Sequence, residues 1–378
     1  MPADRIDLEG TVRARAPQET WALLAARLPR FGITRVARLT GLDYLQLPVW
    51  TAIRPAAQTL SASQGKGATD TLARISAVME AIELWHVEQP MPVVLHGPAR
   101  EVDPPYDLAE LAPRLRHPGL DRVPLDWTTG TALGSGSTVA VPLDLIRRRA
   151  RRPDWEPDLF RATSNGLACG NTRHEATLHA LFEVVERDAL FADEIEAGGR
   201  RTLVDPASVE DPYCRSLIDR MLAAHAALEL VFVANAYAVP VCLAYLWTED
   251  YPLTFAGAGC HTDPRIALSR ALTEAAQSRL TCIAGTRDDL PGHEPAFDTE
   301  PPRPALAGEL SDWTALTAPC EPAAGTFADQ VDLLAERITR VTGHQPVRLD
   351  LSAPDEPFAA VKVLAPGTRS RIRRSVPR

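Results

Sequence analysis

Three stretches of the chain repeat one pattern of small, polar and apolar residues. They cover residues 63–85, 163–190 and 255–280. Each opens with glycines and small polar residues and continues as an Ala/Leu-rich run whose apolar positions are three and four apart, which predicts an amphipathic helix. Each predicted helix has a polar residue at its start that can cap the free backbone N–H groups. These caps are Thr69 or Asp70, Asn171 or Thr172, and Thr262 or Asp263.

Short runs of β-branched and other apolar residues predict strands between and after these helices. The runs cover residues 135–146, 228–237, 239–247, 347–350 and 357–366. Pro or Gly separates neighbouring runs, so we expect them to pair as hairpins. Strands and helices do not alternate as βαβ units. We therefore predict an α+β fold, in which helices pack on mixed, largely antiparallel sheets.

The composition restricts the class of protein. Of the 378 residues, 45% are apolar and 24% are charged, which is ordinary for a soluble domain. The formal net charge of −9 argues against nucleic acid as a partner. The longest apolar run, residues 228–247, contains Glu229, Asn235 and Pro240, which favours buried strands over a membrane-spanning helix.

The cysteines and the first residues bear on the cellular compartment. The six cysteines form no CxxC pair and show no regular spacing, so we expect neither a zinc site nor a disulfide framework. The chain starts without the apolar stretch of a signal peptide. Both observations predict a cytoplasmic protein.

Polar residues recur within the apolar turns of the first predicted helix. Ser76, Glu80 and Glu83 stand at i, i+4 and i+7 and therefore share one face. Val78 and Ile82 occupy the same turns. Glutamate is almost never fully buried without a partner, so these positions need an explanation.

The other two segments contain comparable polar groups. Their pairs are Asn171/Glu175, His179/Glu183, Glu183/Glu186 and Glu274/Gln277. If the helix faces converge, several carboxylates share one volume. Two like charges 4 Å apart repel by about 4 kcal/mol at an effective dielectric constant of 20.

A hard divalent cation would relieve this repulsion. Mg²⁺ binds oxygen ligands, uses few protein carboxylates for each ion, and completes its octahedron with water and phosphate oxygens. Lys66 and Arg187 are candidates to balance phosphate charge. The glycine-rich openings would expose N–H groups to an anion at the start of each helix.

Simpler explanations exist for each motif alone. Glutamates three apart commonly form a solvated helix face, and the GKG of residues 65–67 lacks the spacing of a Walker motif. Three histidines and two cysteines are interpreted as structural, namely His86, His179, His261, Cys169 and Cys260. A metal-dependent hydrolase that works without ATP is another alternative. The threefold recurrence favours a shared site, and the nearby cations favour phosphate.

The same three segments resemble the YcaO family. The similarity lies in SQGKGAT and SAVMEAIE, in SNGLACGNTRHEA and EVVERDA, in GAGCHTDPRIAL and EAAQSR, and in the late VKVLAPG. It covers residues 55–367 in family order, and leaves an N-terminal extension at 1–54 and a tail at 368–378. The tail contains five arginines, and we expect it to be flexible or held by a partner.

The resemblance implies that the chain binds ATP together with Mg²⁺. Carried onto matching positions, it implies metal-binding glutamates at Glu80, Glu83, Glu175, Glu183 and Glu186. It implies nucleotide or phosphate contacts at Lys66, Ser76, Asn171, Arg187, Glu274, Gln277 and Arg279. It identifies no catalytic side chain.

The chemistry that the resemblance implies is activation of a peptide backbone amide. Phosphorylation of the amide oxygen turns it into a good leaving group after a nucleophile has added to the carbonyl carbon. A neighbouring Cys, Ser or Thr side chain gives an azoline, an external sulfur donor gives a thioamide, and an amine gives an amidine. The ATP site does not distinguish these outcomes.

Two departures from the family pattern bear on the chemistry: the first removes one possible phosphate partner and leaves room for a scaffold subunit, and the second disfavours azoline formation. Leu84 stands where many members have arginine, and the C-terminal IRRSVPR differs from the proline-rich ending typical of azoline-forming members. The segment SAVMEAIELWHVE resembles the corresponding segment of members that work with a TfuA partner and are linked to thioamidation. We therefore expect thioamide formation on a peptide or protein substrate.

The chain is also expected to need partners. Residues 1–50 are short for a leader-binding module, so a TfuA-like or leader-binding protein is expected to help in substrate capture. Apolar helices leave surface for a homodimer. The alternatives are an azoline-forming cyclodehydratase and a non-catalytic scaffold subunit of a peptide-modification complex.

Overall fold

A computed structural model of the chain describes residues 5–149, 151–153, 156–287, 290, 297, 308–321 and 324–370. The strands are β1 Ile6–Leu8, β2 Thr11–Arg13, β3 Arg35–Arg38, β4 Val49–Ile53, β5 Ala62–Lys66, β6 Leu95–Pro98, β7 Pro124–Ala132, β8 Thr138–Pro142, β9 Leu167–Gly170, β10 Arg201–Val204, β11 Ala227–Val233, β12 Val241–Thr248, β13 Tyr251–Cys260, β14 Val347–Asp350 and β15 Ala359–Leu364. The α-helices are α1 Pro17–Ala25, α2 Asp70–Glu88, α3 Ala99–Val102, α4 Arg173–Ile195, α5 Pro212–Ala223, α6 Pro264–Ala284, α7 Trp313–Thr317 and α8 Phe327–Thr342.

The strands of the described part form four sheets, and each pairing between them is antiparallel. β1 and β2 form a hairpin, β3–β5 form a three-stranded sheet, and β10–β13 form a four-stranded sheet in sequence order. The six-stranded sheet follows the order β6-β7-β14-β15-β9, and β8 pairs with β7. The predicted α+β fold with antiparallel sheets is confirmed.

The three repeated segments each fold as a strand followed directly by a helix. The units are β5 with α2, β9 with α4, and β13 with α6. Each helix starts at a predicted cap, whose side-chain oxygen accepts a hydrogen bond from a backbone N–H two or three residues later. The caps are Thr69, Thr172 and Asp263.

The glycines of these units permit close packing between strand and helix. A Cβ atom added to Gly65 would lie 2.0 Å from the backbone N of Ala77, and one added to Gly257 would lie 2.1 Å from the backbone O of Ala271. Both glycines lie in strands that pair within a sheet. Gly65 and Gly257 are therefore strand positions where no side chain fits, and the anion contact expected at the glycine-rich openings stays a prediction.

Other predicted elements differ in their bounds. The strand predicted over 135–146 ends at Pro142, because Leu143–Leu145 forms a 3-10 turn. Its partner β7 had no prediction, and neither did β6 and α3. Most of the segment 286–308, and the tail beyond residue 370, lie outside the described residues.

Residues 5–54, the described part of the predicted extension 1–54, are integrated into the fold. They carry β1–β4 and α1, and β4 pairs with β5 along its full length. Leu24 of α1 and Phe31 belong to the same buried cluster as Ala77 and Ile82 of α2. Among the described residues, no helix combines the length and apolar character needed to cross a membrane.

Candidate functional site

The three strand–helix units bring charged side chains of β5, α4 and α6 into one cleft. The Lys66 Nζ atom lies 2.6 Å from Oε2 of Glu274 and donates a hydrogen bond to it. In α4, Arg187 Nη2 lies 3.5 Å from Glu186 Oε1, and Arg187 Nε lies 3.9 Å from Glu183 Oε1. Glu183 and Glu274 are 27% and 30% exposed, so a ligand can reach this cleft from solvent.

Backbone N–H groups around β9 bind one glutamate from α2 and one from α4. The Cys169 N–H donates to Glu83 Oε1 over 2.7 Å, and the Gly166 N–H donates to Glu183 Oε2 over 3.2 Å. The two carboxylates are close enough for the charge of Glu183 to raise the pKa of Glu83. The cleft therefore includes α2 as well as α4 and α6.

The environment disfavours negative charge on several of these carboxylates. Burial raises the pKa of Glu83 well above its ordinary value, and the charges of Glu80 and Glu183 raise it further. Burial also raises the pKa values of Glu183 and Glu186, although Arg187 opposes this effect. A bound cation would stabilise the ionised form of Glu83, Glu183 and Glu186.

Glu274 differs from the other glutamates because two cations face it. Burial raises its pKa, but Lys66 and Arg187 together outweigh burial, and the pKa of Glu274 is lowered. Burial lowers the pKa of Lys66, against the attraction of Glu274. The cleft thus contains both cations and carboxylates with raised pKa values.

Asn171 and Glu175 lie together at the start of α4. The Asn171 Nδ2 group donates to Glu175 Oε2 over 3.2 Å, and Asn171 Oδ1 accepts from Thr20 Oγ1 over 2.7 Å. Glu175 is 1% exposed. It also accepts a hydrogen bond from the Ala14 N–H over 3.0 Å, and Arg13 Nη1 lies 3.5 Å from its Oε1. Protein donors from the N-terminal segment therefore occupy the oxygens of Glu175.

The remaining predicted residues on α2 and α6 flank the cleft. Ser76 and Glu80 are partly buried on α2, one turn apart, and the charge of Glu80 reaches Glu83. Gln277 Nε2 donates to the backbone O of Gln64 over 3.1 Å. This hydrogen bond ties α6 to β5 two residues before Lys66.

Arg279 lies apart from this group. Its guanidinium contacts Asp43 Oδ2 at 3.1 Å, Thr248 Oγ1 at 2.6 Å and Asp250 Oδ2 at 2.8 Å, and the residue is 1% exposed. These partners occupy its donors, and none of them belongs to the cleft around Lys66. The geometry favours a structural role for Arg279 over the predicted contact with a nucleotide.

Sequence reasoning missed three cations around the cleft. Lys362 of β15 donates from Nζ to the backbone O atoms of Thr163 and Asn165 over 2.7 and 2.6 Å. Burial lowers its pKa to about 8, against the attraction of Glu183. A lone lysine within an apolar strand is a signal that could have found it.

The other two missed cations are Arg13 and Arg270. Arg270 precedes Glu274 by one helical turn, so the periodicity of α6 could have found it. Arg13 approaches Glu175 across 162 residues of sequence, and no local pattern indicates that contact.

The donor set fits magnesium held together with a polyphosphate. Within the described residues, no three His, Cys, Asp or Glu side chains form a complete metal site by themselves. Mg²⁺ normally needs only one or two carboxylates, with phosphate oxygens and water as its other ligands. The carboxylates with raised pKa values supply such ligands, and Lys66 and Arg187 provide positive charge for phosphate.

The comparison with known families identifies the class of protein. Residues 64–369 match the family described as YcaO cyclodehydratase, ATP- and Mg²⁺-binding. This chain belongs to the YcaO family, and the resemblance seen in the three repeated segments is confirmed.

Individual relatives agree with this assignment. An uncharacterized protein of Mycobacterium tuberculosis is 36% identical over 373 residues, covering 95% of this chain and 82% of that protein. A Rhizobium leguminosarum bv. trifolii protein, described as lying in the tfuA 3′ region, is 35% identical and covers 94% of this chain and 88% of its own length. The fold is similar to that of YcaO from Methanopyrus kandleri bound with AMPPCP and Mg²⁺, with a TM-score of 0.72, 22% identity and full coverage of both chains.

Proposed function

We propose that this chain binds ATP with Mg²⁺ and activates a backbone amide of a peptide substrate. The observation that carries the proposal is the cleft in which Lys66 and Arg187 face Glu274, beside glutamates whose pKa values are raised by burial. Carboxylates for a metal and cations for phosphate occur there together. The family description, ATP- and Mg²⁺-binding, supports the same assignment.

Each group of residues has a distinct part in this proposal. Glu80, Glu83, Glu183 and Glu186 are the proposed metal ligands, and Lys66 and Arg187 bind and orient the phosphates. Asn171 is a proposed nucleotide contact and Glu175 a fifth proposed metal ligand at the start of α4, where a bound ligand would replace some of their protein donors. Bound ATP would supply the phosphoryl group that makes the amide oxygen a good leaving group.

We further propose that the product is a thioamide and that a TfuA-like partner takes part. The relative from the tfuA 3′ region supports this subgroup, since it is 35% identical over 94% of this chain. All six cysteines are free, which fits the reducing cytoplasm expected from the sequence. The separate partner is proposed to bring the peptide to the cleft.

The second candidate is azoline formation, which the family's description as cyclodehydratase favours. The two products differ in mass. An azoline has lost one water from the peptide, whereas a thioamide has exchanged one oxygen for one sulfur. A scaffold subunit without chemistry gives neither change.

Mass spectrometry of peptide incubated with the chain, ATP, Mg²⁺, a sulfur source and the TfuA-like partner tests the proposal. We expect oxygen-to-sulfur exchange that depends on ATP, and we expect Arg187→Gln to abolish it. Water loss without gain of sulfur would contradict thioamide formation. ATP turnover that the peptide does not stimulate would favour the scaffold.

A further inference from the structure

Residues 93–96, at the start of β6, form an exposed apolar edge of the six-stranded sheet, which we call the β6 edge. Val93, Val94 and Leu95 are 48%, 50% and 47% exposed, and His96 is exposed as well. Among the described residues β6 pairs with β7 alone, so its second side has no strand beside it. An exposed apolar edge readily pairs with another extended chain, because its backbone N–H and C=O groups are unpaired. This edge is therefore suited to binding an added strand.

An arginine-rich segment, residues 144–161, follows strand β8. It contains six arginines and four carboxylates, although the whole chain has a net charge of −9. Three of the arginines share one carboxylate, because Arg147, Arg149 and Arg152 approach Asp144 to 3.9, 3.4 and 3.0 Å. The segment is therefore a positively charged region on an acidic protein.

Arg147 is the least satisfied of these three arginines. Glu156 also pairs with Arg149, and Asp158 lies 3.3 Å from Arg152. Arg147 Nη2 remains 3.9 Å from the shared carboxylate, beyond hydrogen-bond distance, and its buried Nε has no hydrogen-bond partner among the described residues. The side chain is 21% exposed, so a carboxylate from another molecule can reach the guanidinium.

Strand pairing places the β6 edge near the arginine-rich segment. Trp127 of β7 pairs with Leu95 of β6 on one side and with Pro142 of β8 on the other. Neighbouring strands lie about 4.8 Å apart, so Pro142 is about 10 Å from Leu95. Pro142 ends β8, and the segment begins two residues later. The edge and the segment therefore belong to one surface.

The same segment approaches the cleft. The Arg148 N–H donates to the backbone O of Val87, in the last turn of α2, over 2.8 Å. Burial lowers the pKa of Lys362, and the charge of Arg148 lowers it further. Lys362 in turn donates to the backbone O of Thr163, two residues after the segment ends. A chain bound along this surface can therefore continue toward the cleft.

The chemistry of the surface selects its occupant. An extended acidic peptide supplies backbone groups for the edge, apolar side chains for Val93 and Leu95, and carboxylates for the arginines. A second copy of this chain, paired through β6, would instead bring two positively charged segments toward each other. Like charges across an interface reduce affinity. The charge of the surface thus favours the acidic peptide.

We propose that the β6 edge and the arginine-rich segment bind an acidic, extended part of the peptide substrate that lies outside its modified residues. The assignment to the substrate rests on the proposed function, because the cleft would act on the same peptide. The binding of an acidic strand is independent of that function.

Fluorescence anisotropy with labelled synthetic peptides tests the surface. The probe is a short peptide in which glutamate and valine alternate. One control has lysine in place of each glutamate, and the other has proline in place of each valine, which removes backbone donors. We expect saturable binding of the probe that weakens with added salt, and at least about tenfold weaker binding of both controls. No binding of the probe, or equal binding of either control, would overturn the proposal.

A substitution at the edge tests its location. Leu95→Asp places a negative charge on the β6 edge and should weaken probe binding by about tenfold. Leu222→Asp is the matched control, because Leu222 is 44% exposed on α5 and far along the chain from the edge. The control should bind the probe like the wild-type chain. Equal binding by Leu95→Asp would overturn the proposed edge.

A second variant tests the arginines and does not depend on the first. Arg147→Gln combined with Arg151→Gln, at an exposed position, should weaken probe binding about fivefold and reduce its dependence on salt. Arg340→Gln is the control, since Arg340 is exposed on α8 and pairs with Glu336. A double variant that binds like this control would contradict a role for the segment.

Three further results separate the proposal from its alternatives. ATP with Mg²⁺ should leave the probe bound, and displacement would show that the probe occupies the nucleotide site. Analytical ultracentrifugation that finds a dimer, dissociated by Leu95→Asp, would show that a second copy covers the edge. In the mass-spectrometric assay of the proposed function, Leu95→Asp should raise KM for the peptide without changing kcat, and an unchanged KM would refute the assignment to the substrate. Probe binding needs neither ATP nor modification, so failure of the proposed function is distinguishable from failure of this surface.

Discussion

Two glutamates five residues apart on α2 lie in opposite environments. Glu88 accepts hydrogen bonds from Arg54 Nη2 over 2.6 Å, and from the N–H and Oγ1 of Thr59 over 3.1 and 2.7 Å. Glu83 accepts one from the backbone of Cys169 and faces other carboxylates. The charge of Glu88 is neutralised within the protein, whereas the charge of Glu83 is compatible with a cation that binds from solvent.

Replacing Glu83 with Gln should stabilise the ligand-free chain and weaken binding of ATP with Mg²⁺. Removing a repelled carboxylate is expected to raise the free energy of unfolding by about 1 kcal/mol at pH 7.5. The folded-state pKa of Glu83 is raised, so ionisation of this side chain destabilises the folded chain. The penalty is complete above the folded-state pKa and disappears as the pH falls from there to the ordinary carboxyl pKa. Urea unfolding at several pH values should therefore show a gain that shrinks on acidification. A gain that grows on acidification would contradict this account.

Glu88→Gln is the matched contrast on the same helix. It leaves the buried Arg54 guanidinium without its carboxylate, and loss of one partner of a buried ion pair costs about 3–5 kcal/mol. The same urea titration should show destabilisation of this size. If both variants shift stability in the same direction, the distinction between the two glutamates is wrong.

At the scale of elements, glycines set the distance between each strand and the helix that follows it. A Cβ on Gly257 would overlap the backbone of α6 at Ala271 O and Ala275 N, at 2.1 and 2.3 Å. The strand and helix would have to separate to accommodate it. Since α6 carries Glu274, such a shift would change the contact with Lys66.

Gly257→Ala should therefore destabilise the chain and reduce ATP affinity together. Overpacking of this kind costs about 1–3 kcal/mol or more. Gly41→Ala is a suitable control, because a Cβ there meets no atom within 4 Å and the backbone needs no positive φ. Chemical unfolding and ATP titration on both variants check the prediction. A Gly257→Ala variant as stable as the control would show that the close contact is not required.

Local pattern was sufficient to predict the three helices of these units but not the strands that precede them. The periodicity of α2, α4 and α6 predicted the helices, and the small polar residues Thr69 and Thr172 predicted their caps. The strands β5, β9 and β13 were missed, because glycine has low strand propensity and the packing that selects it is tertiary. Sequence spacing alone does not reveal which backbone lies against a glycine.

At the scale of the whole molecule, the cleft collects residues from nearly the full length of the chain. Arg13 comes from the N-terminal hairpin and Lys362 from the last strand. The repeated motif predicted the candidate site residues of α2, α4 and α6, because a repeat can be recognised in the sequence alone. Arg13 belongs to no motif. Arg279 is held by Asp43 and Asp250, which are distant from it in the sequence. Such long-range contacts explain why the structure was needed to separate Arg279 from the cleft.

The central claim is that the glutamates of α4 bind ATP through Mg²⁺. Calorimetric titration of ATP into the wild-type chain, with and without Mg²⁺, tests it most directly beside the double variant Glu183→Gln, Glu186→Gln. Glu336→Gln is the control, since Glu336 is exposed on α8 and pairs with Arg340. We predict binding that requires Mg²⁺, is retained in the control, and is weakened by more than about tenfold in the double variant. Equal binding with and without Mg²⁺, or full binding by the double variant, would contradict the claim.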